Sequence, residues 1–374
     1  MNKAFFINGG AGRVLCSMPG LERYAKTHDD FIIIAESWSE LFLNNVTLRK
    51  HVYPLGHKDL FEEKLKDKKI VSLEPYRVNE YFTQRCNLIQ AFDIEINELD
   101  EIPKTGEIKL DLNKEDQITG YTLVSEVKET LKKEKVVVFQ PFGQSAKVEG
   151  NFIYDSTGRS FEVANIISLI EKLKKNFAVI LMGEIEIPGW TNMGVAAPKG
   201  LGLNGWAGVI NAADHFLGCD SVGQHLAYAV GKPTTVVIGS TFPENISYPD
   251  SKKFTVIDNG KGKRQYSPIR ITFDMNADRN NEDLMVLTED TMNQIVKGMK
   301  KPSGKQIPVA SAVVPTPQNT PFVSPKKLTP SSSSPLSDLG SSQPVRKFGE
   351  PFVVSKKKKK KPIDELIEIE TKKS

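Results

Sequence analysis

The chain has 374 residues, of which 39% are hydrophobic and 26% charged, so it has the composition of a soluble globular protein and the length of about two domains. The formal net charge of +4 is uneven, because residues 301–374 hold 13 lysines and one arginine against six acidic residues, which leaves the first 300 residues at −4. Three widely spaced cysteines exclude a disulfide scaffold, and no apolar run approaches the about 20 residues of a membrane-spanning helix. The N-terminus also lacks the features of a signal peptide, so we expect a cytoplasmic protein.

The first third of the chain alternates between β-rich runs and stretches with helical spacing. The β-rich runs cover residues 4–7, 31–35, 51–55 and 70–73, and the helical stretches cover residues 14–27, 38–45, 60–66 and 81–91. This alternation predicts a parallel sheet covered by helices on both faces. We expect a first doubly wound α/β domain over residues 1–122.

A second alternation follows a predicted connecting helix over residues 123–133. Strands are predicted at 136–140, 177–182, 215–218, 234–238 and 254–257, and helices at 161–174, 205–213, 225–230 and 288–299. The pattern predicts a second doubly wound α/β domain over residues 123–300. Two such domains bind ligands in the cleft between them, at the carboxyl ends of the strands.

The composition changes after residue 300. Residues 301–374 hold 11 of the 22 prolines and 12 serines, and they include six consecutive lysines from Lys356 to Lys361. Such a segment buries too little apolar surface to offset its chain entropy, so it is predicted to be disordered. The lysine run is compatible with a solvated tail or with binding to a polyanion such as nucleic acid or a membrane surface.

A glycine-rich turn follows the first predicted strand. Gly9, Gly10 and Gly12 allow a sharp turn with exposed backbone amides, and Arg13 begins the next helix. The third glycine of a dinucleotide fingerprint and the lysine of a P-loop are both missing. The turn is therefore predicted either to bind a phosphate-bearing ligand or acceptor, or to be only a tight strand-to-helix connection.

A richer motif lies at the end of the strand predicted at 215–218. Asp220 and Ser221 precede a glycine turn with Gly223 and Gln224, and a helix opens near His225. Helix-start amides, a hydroxyl and an imidazole together suit a diphosphate, and Thr241 adds a hydroxyl after the next strand. The alternative is structural: Asp220 and Ser221 cap the helix and His225 packs in the core.

This stretch resembles the signature of the heptosyltransferase-like glycosyltransferases, glycosyltransferase family 9. In that family an Asp-Thr/Ser-Gly turn leads to His-Leu-Ala, a Gly/Lys-Pro break, a strand and a Gly-x-Thr-x-Pro segment. The five-residue step from Asp220 to His225 agrees with the pattern, although the glycine comes one place late. The resemblance covers roughly residues 3–300 and is strongest over 198–245.

The resemblance implies a GT-B fold: two Rossmann-like domains facing a cleft, with the nucleotide sugar held mainly by the second domain and the acceptor by the first. It places Leu201 on the nucleobase, Glu184 or Glu186 near the ribose, and the loop from Gln140 to Ser145 in the cleft. The donor-binding residues it implies are Gln140, Gly143, Ser145, Glu184, Leu201, Asp220, Ser221, Gly223, Gln224, His225 and Thr241. Arg159 stands near the position of a family residue that contacts phosphate.

One position departs from the family. Arg13 stands where the family has an Asp that serves as general base, and an arginine stays protonated in proteins. Either another carboxylate serves, or the acceptor needs less activation, or the chain binds sugar nucleotides or glycans without catalysis. The base is therefore unknown at this stage, and Arg13 with the glycine turn is predicted to contact acceptor or diphosphate.

The function implied by the resemblance is transfer of a sugar from a nucleotide-diphosphate sugar to an acceptor hydroxyl, inverting and independent of metal. No cofactor is expected beyond the nucleotide sugar as co-substrate, and the five histidines lack metal-ligand spacing. The acceptor is either a glycan, such as a lipopolysaccharide core, or a modified nucleic acid. The rival hypothesis is a catalytically inactive sugar-nucleotide or glycan-binding protein.

Overall fold

The computed structural model describes residues 2–150, 152–264, 283–299 and 306–308. Its first part is a four-stranded parallel sheet in the order β3-β2-β1-β4. The strands are β1 (Lys3–Ile7), β2 (Ile32–Ala35), β3 (Val52–Pro54) and β4 (Lys69–Ser72), and the helices are α1 (Ala11–Ala25), α2 (Asn79–Phe82) and α3 (Leu88–Asn97).

Strand alternation determines how this sheet is covered. Phe5, Ile7 and Ile33 point to one face and join the core beneath α1 and α3, whereas Ala4, Ile32 and Ile34 point to the other. That second face is covered by the short helical turn Phe61–Leu65 and its neighbour Leu60. The sheet therefore has helices on both faces, although one layer is thin.

The second part is built on a six-stranded parallel sheet in the order β12-β11-β10-β9-β5-β8. Its strands are β5 (Val136–Gln140), β8 (Ala178–Leu181), β9 (His215–Cys219), β10 (Thr234–Ile238), β11 (Phe254–Asp258) and β12 (Gln306–Pro308), and a small antiparallel hairpin adds β6 (Lys147–Glu149) and β7 (Phe152–Tyr154). The helices are α4 (Lys114–Leu131), α5 (Val163–Leu173), α6 (Leu203–Ala212), α7 (Val222–Ala229), α8 (Pro243–Ile246) and α9 (Glu289–Gly298). The central strands are buried along their whole length, as the continuous apolar runs predict.

The two sheets share a core. One cluster of buried side chains includes Phe5 and Leu15 of the first part together with Val138, Trp206 and Phe216 of the second. The prediction of a parallel α/β protein with two doubly wound units is confirmed. None of the helices in the described part of the chain combines the length and apolarity that a bilayer crossing requires.

Several boundaries differ from the prediction. The domain boundary predicted after residue 122 falls inside α4, which begins at Lys114 because the Asn113 side chain accepts a hydrogen bond from the Asp116 amide. The helix predicted over 81–91 is two helices, since Asn87 and Gln90 form a capping box that starts α3. Within the segment predicted to be disordered, residues 306–308 form β12 beside β11. The remainder of that prediction, including the lysine run, lies outside the described residues.

Candidate functional site

The carboxyl edges of the two sheets face each other. A methyl group added at Gly10, in the loop after β1, would lie 2.9 Å from Gln144 Oε1, in the loop after β5. A methyl group added at Gly12 would lie 3.2 Å from His225 Nε2, on α7. The two loops with the sequence motifs therefore meet at one place, as the parallel topology predicts.

Arg159 is a cation near this edge of the second sheet. Its Nη2 donates to Ser145 Oγ at 2.9 Å and its Nε donates to Thr157 Oγ1 at 3.0 Å. Burial opposes its charge, but the carboxylates of Asp220 and Asp155 raise the pKa of the guanidinium above its ordinary value. A protonated, half-buried guanidinium between two strand ends suits an anionic ligand.

The turn that carries Arg159 is organised by Asp155. The Asp155 carboxylate accepts hydrogen bonds from the amides of Thr157 and Ser160 at 2.8 and 3.2 Å, and from both of their hydroxyls. Ser160 Oγ in turn accepts a hydrogen bond from the Gly143 amide at 2.9 Å. Gly143 is thus part of the backbone scaffold that fixes Arg159 beside the loop after β5.

The predicted diphosphate residues at the end of β9 form a buried network. Gln140 Nε2 donates to Ser221 Oγ at 3.1 Å, and its Oε1 accepts from the Gly223 amide at 2.9 Å. Asp220 is 2% exposed and accepts hydrogen bonds from Thr241 Oγ1 at 2.9 Å and from Gln224 Nε2 at 3.2 Å.

This network corrects one expectation. The Gly223 amide, predicted to be open to a ligand at the start of α7, is occupied by the Gln140 side chain. A methyl group at Gly223 would lie 2.3 Å from Gln140 Oε1 and 2.4 Å from the Phe216 ring, so only glycine fits there. The half-exposed hydroxyls of Ser221 and Thr241 remain on the accessible side of the edge, whereas Asp220 and Gln224 hold the loops together.

His225 is also placed differently from the prediction that it surrounds the diphosphate. Its ring is 3% exposed, and its Nδ1 lies 2.6 Å from Tyr248 Oη and 3.6 Å from Cys16 Sγ. Burial lowers the pKa of the imidazole to about 4 and raises the pKa of the Cys16 thiol to about 12. The structure therefore favours the core-histidine alternative, with a neutral ring between α1 and α7.

Arg13 does not point into the cleft. Its Nη2 donates to the Leu73 carbonyl at 2.8 Å and its Nη1 lies 3.2 Å from Glu74 Oε1. The guanidinium lies 4.9 Å from the ring centroid of Tyr76 and 5.6 Å from that of Phe92. The Arg13 side chain is only 4% exposed. A buried cation must be paired, and Glu74 and the Leu73 carbonyl are its partners here. In the described part of the chain the guanidinium is thus bonded to protein groups, and its contact with acceptor or diphosphate stays a prediction.

Two residues at the carboxyl edge of the first sheet, Glu36 and Tyr76, were not among the predicted site residues. Glu36 directly follows β2, and its Oε2 accepts a hydrogen bond from the Gly9 amide at 3.1 Å. Tyr76 follows β4, and its ring centroid lies 4.9 Å from the Arg13 guanidinium. Both follow strands of the first sheet, so the rule that places ligands at carboxyl strand ends could have identified them.

The predicted base and ribose residues lie farther along the second sheet. The side chains of Glu184 and Glu186 are exposed beyond β8, and Lys199 Nζ donates to the carbonyl oxygens of Gly183 and Glu184 at 3.0 and 2.8 Å. Leu201 is half-buried, and a methyl group at Gly205 would lie 3.5 Å from its Cδ2. Neither Glu184 nor Leu201 makes a hydrogen bond with the Asp220 network in the described part of the chain.

A metal site would need a cluster of ligating side chains. No group of three or more His, Cys, Asp or Glu side chains that could hold a metal ion occurs among residues 2–150, 152–264 and 283–299. A cavity of about 610 Å³ lies at the other end of α7, between the connecting segment 105–111 and the side chains of Tyr228, Tyr248 and Phe254.

Comparison with known structures shows which fold this is. The chain is similar to a glycosyl transferase of family 9 from Veillonella parvula DSM 2008, with a TM-score of 0.57 and 12% identity over 80% of this chain and 96% of that one. It is also similar to TibC from enterotoxigenic E. coli H10407, described as a dodecameric iron-containing heptosyltransferase in complex with ADP-D-beta-D-heptose, with a TM-score of 0.51 and 13% identity over 80% of this chain and 76% of that one.

No protein-family model matches the sequence, and no curated protein does. At these identities the similarity establishes the fold alone. The GT-B fold predicted from the resemblance is confirmed, and the resemblance to family 9 glycosyltransferases is confirmed at the level of structure.

Proposed function

We propose that this protein transfers a sugar from a nucleotide-diphosphate sugar to an acceptor hydroxyl. The observation that carries the proposal is Arg159, a protonated guanidinium held between Ser145 and Thr157 at the carboxyl edge of the second sheet. Ser145 directly follows Gln144, whose side chain contacts the glycine turn of the first sheet in this GT-B fold. This edge is where doubly wound sheets bind their ligands.

The leaving group explains why a cation is needed there. When the bond between the sugar and the diphosphate breaks, negative charge develops on the diphosphate oxygens, and a fixed guanidinium stabilises it. The Ser221 hydroxyl, which accepts from Gln140, lies at the same edge and can donate a further hydrogen bond. The proposal assigns charge neutralisation to Arg159, so transfer needs no metal and persists in EDTA.

The proposal also names a class of donor, a stereochemical outcome and two classes of acceptor. The complex of TibC with an ADP-heptose makes ADP-sugars the first donors to test. A single displacement at the anomeric carbon inverts its configuration. The acceptor is a glycan hydroxyl or a hydroxyl of a modified nucleic acid, and the lysines from Lys356 to Lys361 motivate the second class.

The test follows nucleoside diphosphate release from ADP-heptose, UDP-glucose and GDP-mannose, together with the mass of glycan and nucleic-acid acceptors. Arg159→Gln is expected to weaken ADP, UDP or GDP binding in calorimetry by roughly 10- to 100-fold, because a charge-assisted hydrogen bond is lost. Arg49→Gln, at an exposed position, is the matched control and should bind as the wild type does. Equal affinity of Arg159→Gln and wild type contradicts the assignment.

The inactive binding protein is the second candidate. Its supporting observation is Arg13, which stands where the resemblance places an Asp general base and which is buried against Glu74. Tight binding of a nucleoside diphosphate, without release of product from any donor and without a mass change of any acceptor, would establish this alternative.

A further inference from the structure

The loop after β1 contains no group that can accept a proton from an acceptor. Its glycines have no side chains, and Arg13 is protonated and turned toward Leu73 and Glu74. Activation of a hydroxyl nucleophile requires a group with a free lone pair within hydrogen-bond reach. If sugar transfer occurs here, that group comes from a neighbouring element.

Glu36 lies beside this loop because β1 and β2 are adjacent parallel strands. Ile7 is paired with Ala35, so the chain leaves both strands at the same edge. The Glu36 amide donates to the Ile7 carbonyl at 2.9 Å, and the Glu36 carboxylate accepts from the Gly9 amide at 3.1 Å. Gly9 adopts φ +85°, a conformation that favours glycine, and its amide fixes one carboxylate oxygen.

Four other carboxylates near the glycine turn and the end of β9 already have protein partners. Glu74 is paired with Arg13, and both oxygens of Glu95 accept the Glu74 amide. Asp220 is bonded to Thr241 and Gln224, and Asp155 is bonded to its own turn. In the described part of the chain, Glu36 accepts one hydrogen bond, through Oε2, and its side chain is exposed to solvent.

Glu36 is also connected to the donor side by a short series of contacts. The Gly9 amide donates to Glu36, and Gly10 follows it in the chain. A methyl group added at Gly10 would lie 2.9 Å from Gln144 Oε1. Gln144 precedes Ser145, whose hydroxyl accepts from Arg159 at 2.9 Å. A diphosphate bound at Arg159 therefore leaves the attached sugar close to the loop that holds Glu36.

We propose that Glu36 is the base that activates the acceptor, an inference that rests on the proposed sugar transfer. The proton of the acceptor hydroxyl passes to the free oxygen of Glu36, and the acceptor oxygen forms a bond to the anomeric carbon. The bond from that carbon to the diphosphate oxygen breaks, and the nucleoside diphosphate leaves with the electron pair. The exposed carboxyl group then returns its proton to water.

The experiment uses the full chain and the donor from which the wild type releases most nucleoside diphosphate, among ADP-heptose, UDP-glucose and GDP-mannose. Glu36→Gln removes the base but keeps an oxygen for the Gly9 amide, and it is expected to lower kcat by roughly 10²- to 10⁴-fold. Affinity for the nucleoside diphosphate and the unfolding temperature should stay as in the wild type. Glu101→Gln, an exposed position in the same part of the chain, is the control and should keep wild-type turnover.

A second variant separates the base from a structural role. Azide is a nucleophile with no proton to lose, so it needs no base. With Glu36→Ala, azide is expected to restore nucleoside diphosphate release and to give a glycosyl azide detectable by mass. Turnover of Glu36→Gln within threefold of wild type, or failure of azide to restore Glu36→Ala, overturns the inference while the proposed function stands. Absence of turnover by the wild type with every donor overturns both.

Discussion

Arg13 and His225 both lie beside the glycine turn, against Gly9 and Gly12 respectively, and both are buried. Arg13 is paired with Glu74 and lies near the rings of Tyr76 and Phe92. His225, on α7, is hydrogen-bonded to the Tyr248 hydroxyl. A buried charge must be compensated, whereas a buried imidazole can shed its proton. Arg13 is therefore paired with Glu74 and the Leu73 carbonyl, and His225 stays neutral.

The neutral state of His225 makes stability depend on pH. Burial lowers its pKa in the folded protein to about 4, against an ordinary value of 6.5. Between these values the unfolded chain binds the proton and the folded protein does not, so the stabilising contribution is complete above pH 6.5 and is lost as the pH falls toward 4. The free energy of unfolding is expected to fall by about 3 kcal/mol over this window on account of His225.

The measurement is urea unfolding of wild type and His225→Gln at pH 7 and pH 4.5. The variant is expected to be less stable than wild type at pH 7, because the bond to Tyr248 and the packing against Gly12 are lost, but to lose less stability on acidification. His28→Gln, at an exposed position, should keep the wild-type pH dependence. If His225→Gln has wild-type stability but binds nucleotide more weakly, His225 contacts the ligand and the structural role is wrong.

At the scale of elements, α4 and α6 cross with their backbones in contact. A methyl group at Gly208 on α6 would lie 2.1 Å from the Asp116 carbonyl oxygen, and one at Gly120 on α4 would lie 2.2 Å from the Gly208 carbonyl oxygen. Glycine at both positions lets the helices approach this closely, and Trp206 is buried beside the crossing. The contact fixes the start of α6, which follows Leu201.

Gly208→Ala is therefore expected to destabilise the protein by about 1–3 kcal/mol or more, because the helices must separate to admit the methyl group. Denaturant unfolding measures the loss. Gly202→Ala is the matched control, since a methyl group there meets no atom within 4 Å. If both variants are equally stable, the crossing relaxes without cost and the close contact does not matter to the fold.

At the scale of the whole molecule, the second sheet extends to residues beyond α9. β12 pairs with β11 through the registers Val256–Gln306, Ile257–Ile307 and Asp258–Pro308. The boundary predicted from composition, after residue 300, would assign β12 to the C-terminal tail. The described part of the second sheet therefore extends to Pro308.

Two shortened chains test this boundary. A chain ending at Pro308 is expected to unfold at the temperature of the full chain, because residues 309–374 have a composition that buries little apolar surface. A chain ending at Met299 loses the ladder to β11 and should be less stable by about 1–2 kcal/mol. Equal stability of both shortened chains would show that β12 adds nothing, and a large loss on cutting at Pro308 would show that the tail docks on the core.

The order of strands and helices, the position of the glycine turn after β1 and the polar turn after β9 follow from the sequence, because periodicity and breaker residues act over a few positions. Side-chain orientation does not follow, because it depends on distant partners. Arg13 meets Glu74 across 61 positions, Gln140 meets Gly223 across 83, and Glu36 meets Gly9 only because β1 and β2 lie side by side. Tertiary structure alone therefore decides that Arg13, Asp220 and His225 are buried, while Glu36 is exposed and Arg159 half-buried.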